Sequence, residues 1–216
     1  PATLILASVA MFFATFFGIM IGLVLAIFPE SRIGDIVLSI CALGMSAPSF
    51  VVAILVAWLF GYVLHSYTHL PMTGGMIIVD PFEGPRLAWA HLILPAFTLG
   101  IRPLAVIIQL SRNSAIEVLG APYIRTARAK GLSRSRILLH HVLRNSLNPV
   151  LTATSGWFAS MLAGAVFVEF VFGWKGMGLL MFNALESGDL HIVMGCTLVI
   201  SSIFVLINVA VDLLYG

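Results

Sequence analysis

His65 and His69 stand four residues apart, a spacing at which two imidazoles on one helical face can share a metal ion. No Glu or third ligand accompanies them in a recognised arrangement, and Pro71 closes the segment, so the pair reads as a loop or interfacial feature and no metal is expected. His140 and His141 are adjacent and point in different directions on a helix, which suits a membrane surface better than a shared ion. Ser46 lies in Gly44-Met45-Ser46-Ala47-Pro48, which lacks the second glycine of a nucleophile elbow, and no intramembrane His sits clearly opposite it. A membrane hydrolase is therefore disfavoured, and no catalytic residue is assigned. No Gly-x-x-x-x-Gly-Lys-Ser/Thr run occurs, so any ATP must be bound by another polypeptide. Gly74-Gly75 and the glycines of residues 173–178 read as turns.

What remains is a basic segment, YIRTARAKGLSRSRILLHHVLRNSLNPV over residues 123–150. Seven of the eleven Lys and Arg fall here or just before it: Arg112, Arg125, Arg128, Lys130, Arg134, Arg136 and Arg144. Glu117 is the one acid between Arg112 and Arg144. Such an excess of Lys and Arg between apolar runs faces the cytoplasm.

The elements around it are membrane-spanning. Hydrophobic residues make up 60% of the chain, charged residues 9%, and the mean hydropathy is +1.08, which excludes an ordinary soluble domain. A bilayer span needs about 20 mostly apolar residues. Five segments qualify: residues 2–28, 36–64, 91–111, 149–172 and 192–215. With residues 112–148 inside, loops 65–90 and 173–191 are external and carry only Arg86 and Lys175 as Lys or Arg. Cys41 and Cys196 both fall inside spans and are expected to be free thiols.

The basic segment resembles the cytoplasmic coupling loop of permease subunits from binding-protein-dependent ABC importers. That family's loop reads Glu-Ala-Ala, three residues, Gly, and later Leu-Pro. Arg125, Thr126 and Ala127 stand at the first three positions, Gly131 at the glycine, and Leu143-Arg144 at the Leu-Pro. The run Arg125-Thr126-Ala127-Arg128-Ala129-Lys130-Gly131, followed by Leu132, is similar to the dipeptide/oligopeptide/nickel branch, and the likeness extends over essentially the whole chain. It implies an all-α polytopic permease domain over residues 1–216, lacking a first transmembrane helix, with residues 112–148 as its coupling loop. It also implies a multi-pass place in the bacterial cytoplasmic (inner) membrane. The expected partners are a second permease, two cytoplasmic ATPase subunits that bind ATP and Mg, an external solute-binding protein and the lipid bilayer, with no nucleic acid. Di- and oligopeptides are the expected cargo. Nickel or another small solute, and a secondary transporter with no ATPase, remain as alternatives.

The loop's own chemistry supports a rigid shape. Pro122 suits the first position of a short helix because its missing N–H would be unsatisfied there. Gly131 suits a left-handed C′ stop. Ser133 then caps a second helix, whose Leu139, Val142, Leu143 and Leu147 form an apolar face. Such a knob fits a groove on a partner; the competing reading is an amphipathic loop held on anionic headgroups.

Within the spans, Ala14, Gly18, Gly22 and Ala26 form a small-residue stripe for close helix packing, and Gly156, Ser160 and Gly164 form another. Pro48 interrupts the second span, while Pro95, Gly100 and Pro103 mark the third as broken. Arg102 lies about 16 Å into the third span at 1.5 Å per residue, so it must face protein or water rather than lipid. Glu169 is a possible partner, or a residue of the external interface beside Trp174 and Lys175; a substrate-facing role for Arg102 stays open.

Overall fold

The first 27 residues contain no charged side chain and form one uninterrupted helix, α1 (Ala2–Ile27). At 1.5 Å per residue it is about 39 Å long, enough to cross a hydrocarbon core of about 30 Å. The structure is a computed structural model that describes residues 1–80 and 84–215, without the side chains of residues 78–80, 85, 134, 163, 211, 212, 214 and 215. The fold is all-α. After α1 come α2 (Arg32–Ser46), α3 (Ser49–Trp58) with a π-helical turn over Leu59–Val63, and the short α4 (His65–Thr68). An antiparallel ribbon of β1 (Ile77–Asp80) and β2 (Gly84–Leu87) pairs Ile77 with Leu87 and Ile78 with Arg86. Then follow α5 (Ala90–Gly120), α6 (Pro122–Ala129), α7 (Arg134–Arg136), a π-helical turn over Ile137–Val142, α8 (Leu143–Gly164), α9 (Val166–Phe172), α10 (Met177–Ser187) and α11 (Leu190–Tyr215).

Among the described residues, three helices are each long and apolar enough to span a membrane, over Ala2–Ile27, Ala90–Gly120 and Leu190–Ala210. Two bent pairs, Arg32–Ser46 with Ser49–Val63 and Ile137–Leu162 with Val166–Phe172, bring the number to five if each counts as one span. The breaks thus fall in the second and fourth spans, and in the second Pro48 stands as the extended N-cap of α3 at φ −60° and ψ 136°. None falls in the third, where Pro95 and Pro103 are fully buried inside a continuous 31-residue α5. That helix runs nine residues past the expected end at Ser111, so the connection to α8 is shorter than residues 112–148. The expected external loop 173–191 contains a helix, α10, whose apolar Leu179, Leu180 and Phe182 are flanked by Gly178 and by Gly188 as C-cap.

The chain forms two compact units. One comprises Pro1–Phe12, Ala47–Gly100 and Ser155–Gly216, and is built around fully buried Trp174 and Phe172. In it the Phe50 and Phe167 rings lie 6.2 Å apart and those of Phe170 and Phe182 4.1 Å apart. Cys196 belongs to this unit as a buried free thiol.

The other unit comprises Phe13–Ser46 and Ile101–Thr154. Its main seam joins α1 to α5: a Cβ on Gly18 would stand 2.6 Å from Ile107 Cγ2, and one on Gly22 2.6 Å from Ser111 Cβ and 2.7 Å from the Ile108 carbonyl. No side chain fits there, so the first small-residue stripe packs helices within the chain, with Ala14 and Ala26 buried alongside. Leu25, Cys41, Ala105 and Ile108 form a second buried cluster that adds α2 to this seam; Cys41 is also a free thiol. Gly156 and Gly164 meet nothing within 4 Å, so the second stripe, on α8, is uncovered in the isolated chain.

Candidate functional site

The knob is built from local signals. Ala121 is extended at φ −64° and ψ 146°, and Pro122 opens α6 in its first turn. Ile124 and Ala127, three apart, fall on one face and are buried. Arg125, Thr126, Arg128, Ala129 and Lys130 lie on the exposed surface, with Gly131 exposed and Leu132 half-buried.

Gly131 ends the helix in the left-handed region at φ +78°. The N–H of Leu132 donates to the Ala127 carbonyl at 3.3 Å and that of Gly131 to the Arg128 carbonyl at 2.9 Å. This pair of bonds is a Schellman motif, which satisfies carbonyls that the helix end would otherwise leave bare. Ser133 then caps the next element: its Oγ accepts from the Arg136 N–H at 3.4 Å, and its carbonyl from the Ile137 N–H at 3.0 Å.

A buried cluster of Ala26, Ala115, Ile124, Ala127, Ile137 and Val142 fixes the knob on the ends of α1 and α5. The π-helical turn over Ile137–Val142 shifts the apolar face from that expected. Ile137 and Val142 point inward, Leu143 and Leu147 are half-buried, and Leu139 is 68% exposed. A steady 3.6-residue period places Leu139 on the apolar face with Val142, Leu143 and Leu147 and hides the added residue in the turn. Ala127 fills its own chain's core at 7% exposure. Tyr123 Oη accepts from Asn145 Nδ2 at 3.3 Å, and Asn145 Nδ2 lies 2.8 Å from the His141 carbonyl, which ties α6 to the start of α8.

The outward surface is basic. Residues 118–148 contain no Asp or Glu, while Arg125, Arg128, Lys130 and Arg136 are exposed. The Arg134 side chain lies outside the described residues. Arg128 borders a cavity of about 340 Å³ with Ile27, Leu119, Leu132, Ile137 and Leu138. His140 and His141 stand edge to face at 5.5 Å between ring centroids, beside Ser135 and Arg136.

The other expected polar residues each have their own partner. Arg102 is exposed on α5, and its guanidinium donates to the Met45 carbonyl at 3.3 Å. Glu169 is fully buried, and its Oε2 accepts from the Leu179 N–H at 2.9 Å. Thr3 Oγ1 accepts from the Met177 N–H at 2.8 Å, and Trp174 Nε1 donates to the Ala2 carbonyl at 3.2 Å. Glu169 thus caps the first turn of α10 with Thr3, under glycines that leave it room: a Cβ on Gly176 would collide with its carboxylate, and one on Gly178 would stand 2.7 Å from Val166 Cα. Within its own unit Glu169 serves this turn. Glycines at 176 and 178 beside a buried acid were the available sign of this turn. His65 Nδ1 is 2.9 Å from the Leu70 carbonyl, and His69 caps α4 at φ +52°.

Apolar helices of spanning length in an all-α architecture define a multi-pass membrane protein. Residues 18–216 match the family described as binding-protein-dependent transport system inner membrane component, and the chain belongs to that family. Among its relatives, the dipeptide transport system permease protein DppB of Escherichia coli (strain K12) is 38% identical over 232 residues, which cover 100% of this chain and 68% of the relative. The di/tripeptide transport system permease protein DppB of Pseudomonas aeruginosa (strain UCBPP-PA14) is 39% identical over 230 residues, with the same coverage. Among solved structures, a chain of the MetNI methionine ABC transporter, in an inward-facing conformation, superposes with a TM-score of 0.73 over 99% of this chain and 91% of that one. At 18% identity that likeness speaks for the fold alone.

Proposed function

We propose that this chain is a permease subunit forming the translocation path of an ATP-driven importer for di- and oligopeptides, delivered by an external solute-binding protein. Its partners are a second, homologous permease and two cytoplasmic ATPase subunits, which bind ATP and Mg. The coupling element is the knob of residues 121–142, facing the cytosol, and its exposed Arg125, Arg128 and Lys130 call for an acidic groove on the ATPase.

The observation that carries the reading is the knob's construction. One face is locked into the α1–α5 core by Ile124, Ala127, Ile137 and Val142, and the other is basic and open. An amphipathic loop lying on lipid needs no such anchoring to the spans, whereas a lever does. The peptide cargo follows from the whole-chain similarity to dipeptide and di/tripeptide permeases, which favours it over nickel.

Uptake competition in a strain lacking the gene, complemented with this chain and its partner subunits, tests the assignment. Labelled dipeptide should be taken up, with competition from dipeptides and short oligopeptides. Competition by Ni²⁺ alone would refute the peptide reading.

A further inference from the structure

Exposed residues on α2 sort by chemistry around the helix. At 100° per residue, Ile33, Ile36, Ile40 and Leu43 occupy one side of the exposed arc. Asp35, Ser39, Ala42 and Ser46, at offsets of four, three and four, occupy the other. The first side suits lipid. The second is a lane of small and polar groups about 17 Å long at 1.5 Å per residue.

Residues Arg102 and Gln109 of α5, seven apart and so two turns along one face, reach α2 on the polar side of its buried seam. Both converge on Met45: Arg102 donates to its carbonyl at 3.3 Å, and Gln109 Nε2 lies 3.4 Å from its sulfur. Met45 adjoins Ala42 and Ser46 around the α2 surface, so the guanidinium stands at the head of the lane. Of its five N–H donors, one is occupied among the described residues, by Met45. An exposed cation deep in a spanning helix, at the polar side of α2, belongs in water or against an anion rather than against acyl chains.

We propose that Arg102 binds a carboxylate of the passing solute, and that Asp35, Ser39, Ser46 and Gln109 line the wet path leading from it. This rests on the peptide-permease reading, under which the solute is a short peptide and the anion is its C-terminal carboxylate. The planar fork of Arg grips a carboxylate through two parallel N–H bonds.

The test uses the assembled transporter in proteoliposomes, on a background with Cys41→Ala and Cys196→Ala. Arg102→Cys should react with membrane-impermeant methanethiosulfonates, and excess dipeptide with its binding protein should slow that reaction. Peptide uptake should fall at least about tenfold, the usual weight of one charged hydrogen-bond partner. A reagent that attaches an aminoethyl group should restore much of the uptake, and a neutral methyl reagent should not. Arg102→Lys should retain more uptake than Arg102→Leu. A thiol that stays unmodified in the Arg102→Cys variant, normal uptake by the leucine variant, or equal rescue by neutral and cationic reagents would overturn the proposal. Peptide uptake by the Cys-free parent reports independently on the peptide-permease reading.

Discussion

Replacing Gly131 by Val isolates backbone strain from packing. The residue sits at φ +78°, and a Cβ built on it meets nothing within 4 Å, so the added side chain starts in open space. Its whole cost is the left-handed conformation, about 1–3 kcal/mol for a side chain held in such a region. The chain can relieve that strain by unwinding the end of α6. Unwinding gives up the Leu132-to-Ala127 and Gly131-to-Arg128 bonds, each with a net value of about 0.5–1.5 kcal/mol. The two costs are comparable, so Val moves the turn from firmly closed to partly open, a shift of roughly 5- to 150-fold in that equilibrium. Asn, which tolerates the left-handed region, should cost least, Ala more, and Val most. The order should be read from hydrogen exchange at the Gly131 and Leu132 amides, from ATP-driven uptake and from retention of the ATPase on detergent extraction. Membrane levels should stay normal, because Gly131 is itself exposed and is not part of the buried cluster that anchors the knob. Uptake and ATPase retention equal to the parent in Gly131→Val would refute the coupling role of the knob. An unchanged exchange rate at Leu132 would refute the strain argument itself.

Ala127→Glu forces a carboxylate with no partner into the cluster of Ile124, Ile137 and Val142, at a cost of several kcal/mol. It should abolish uptake and expose the knob to limited proteolysis while the spans insert normally; proteolysis at the parent's rate would contradict the buried placement. Ser135→Cys should be labelled by an impermeant maleimide only after the cells are permeabilised, and Thr73→Cys in intact cells, with the opposite pattern reversing the topology. Glu169→Ala leaves the Leu179 N–H without its acceptor and should cost about 1–3 kcal/mol, seen as a lower unfolding temperature in detergent. Glu169→Gln, which keeps an acceptor oxygen, should lose less, and equal losses would show that packing rather than the hydrogen bond matters there.

Features governed by a few neighbouring residues were legible in the sequence. Pro122, Gly131 and Ser133 each act within one helical turn, and all three stand as expected. The small-residue stripe of α1 was legible because steric need is stated by the residues themselves, although its partners, Ile107 and Ser111, were not. Proline was the misleading signal. Pro48 ends one helix and starts another, whereas Pro95 and Pro103 sit inside one. Whether a proline breaks a buried helix depends on what surrounds the freed carbonyl, and that information is tertiary. The same holds for Glu169, whose fellow cap Thr3 lies at the other end of the chain.

How a push on the knob would travel follows from where its anchors lie. Ile124, Ala127, Ile137 and Val142 hold α6 and the π-helical turn against Ala26 of α1 and Ala115 of α5. Further along α5, Arg102 contacts Met45 of α2, and between these points Gly18 and Gly22 bring α1 against Ile107 and Ser111 with no slack for a methyl group. Arg112 adds a bond from α5 to the Pro29 carbonyl at 3.3 Å, fixing the link between α1 and α2. Close-packed contacts of this kind transmit displacement because they cannot be compressed. Movement imposed at Arg125–Lys130 therefore shifts α1, α5 and α2 together. Under the proposed coupling and solute-binding roles, it would carry the Arg102 end of the polar lane with it.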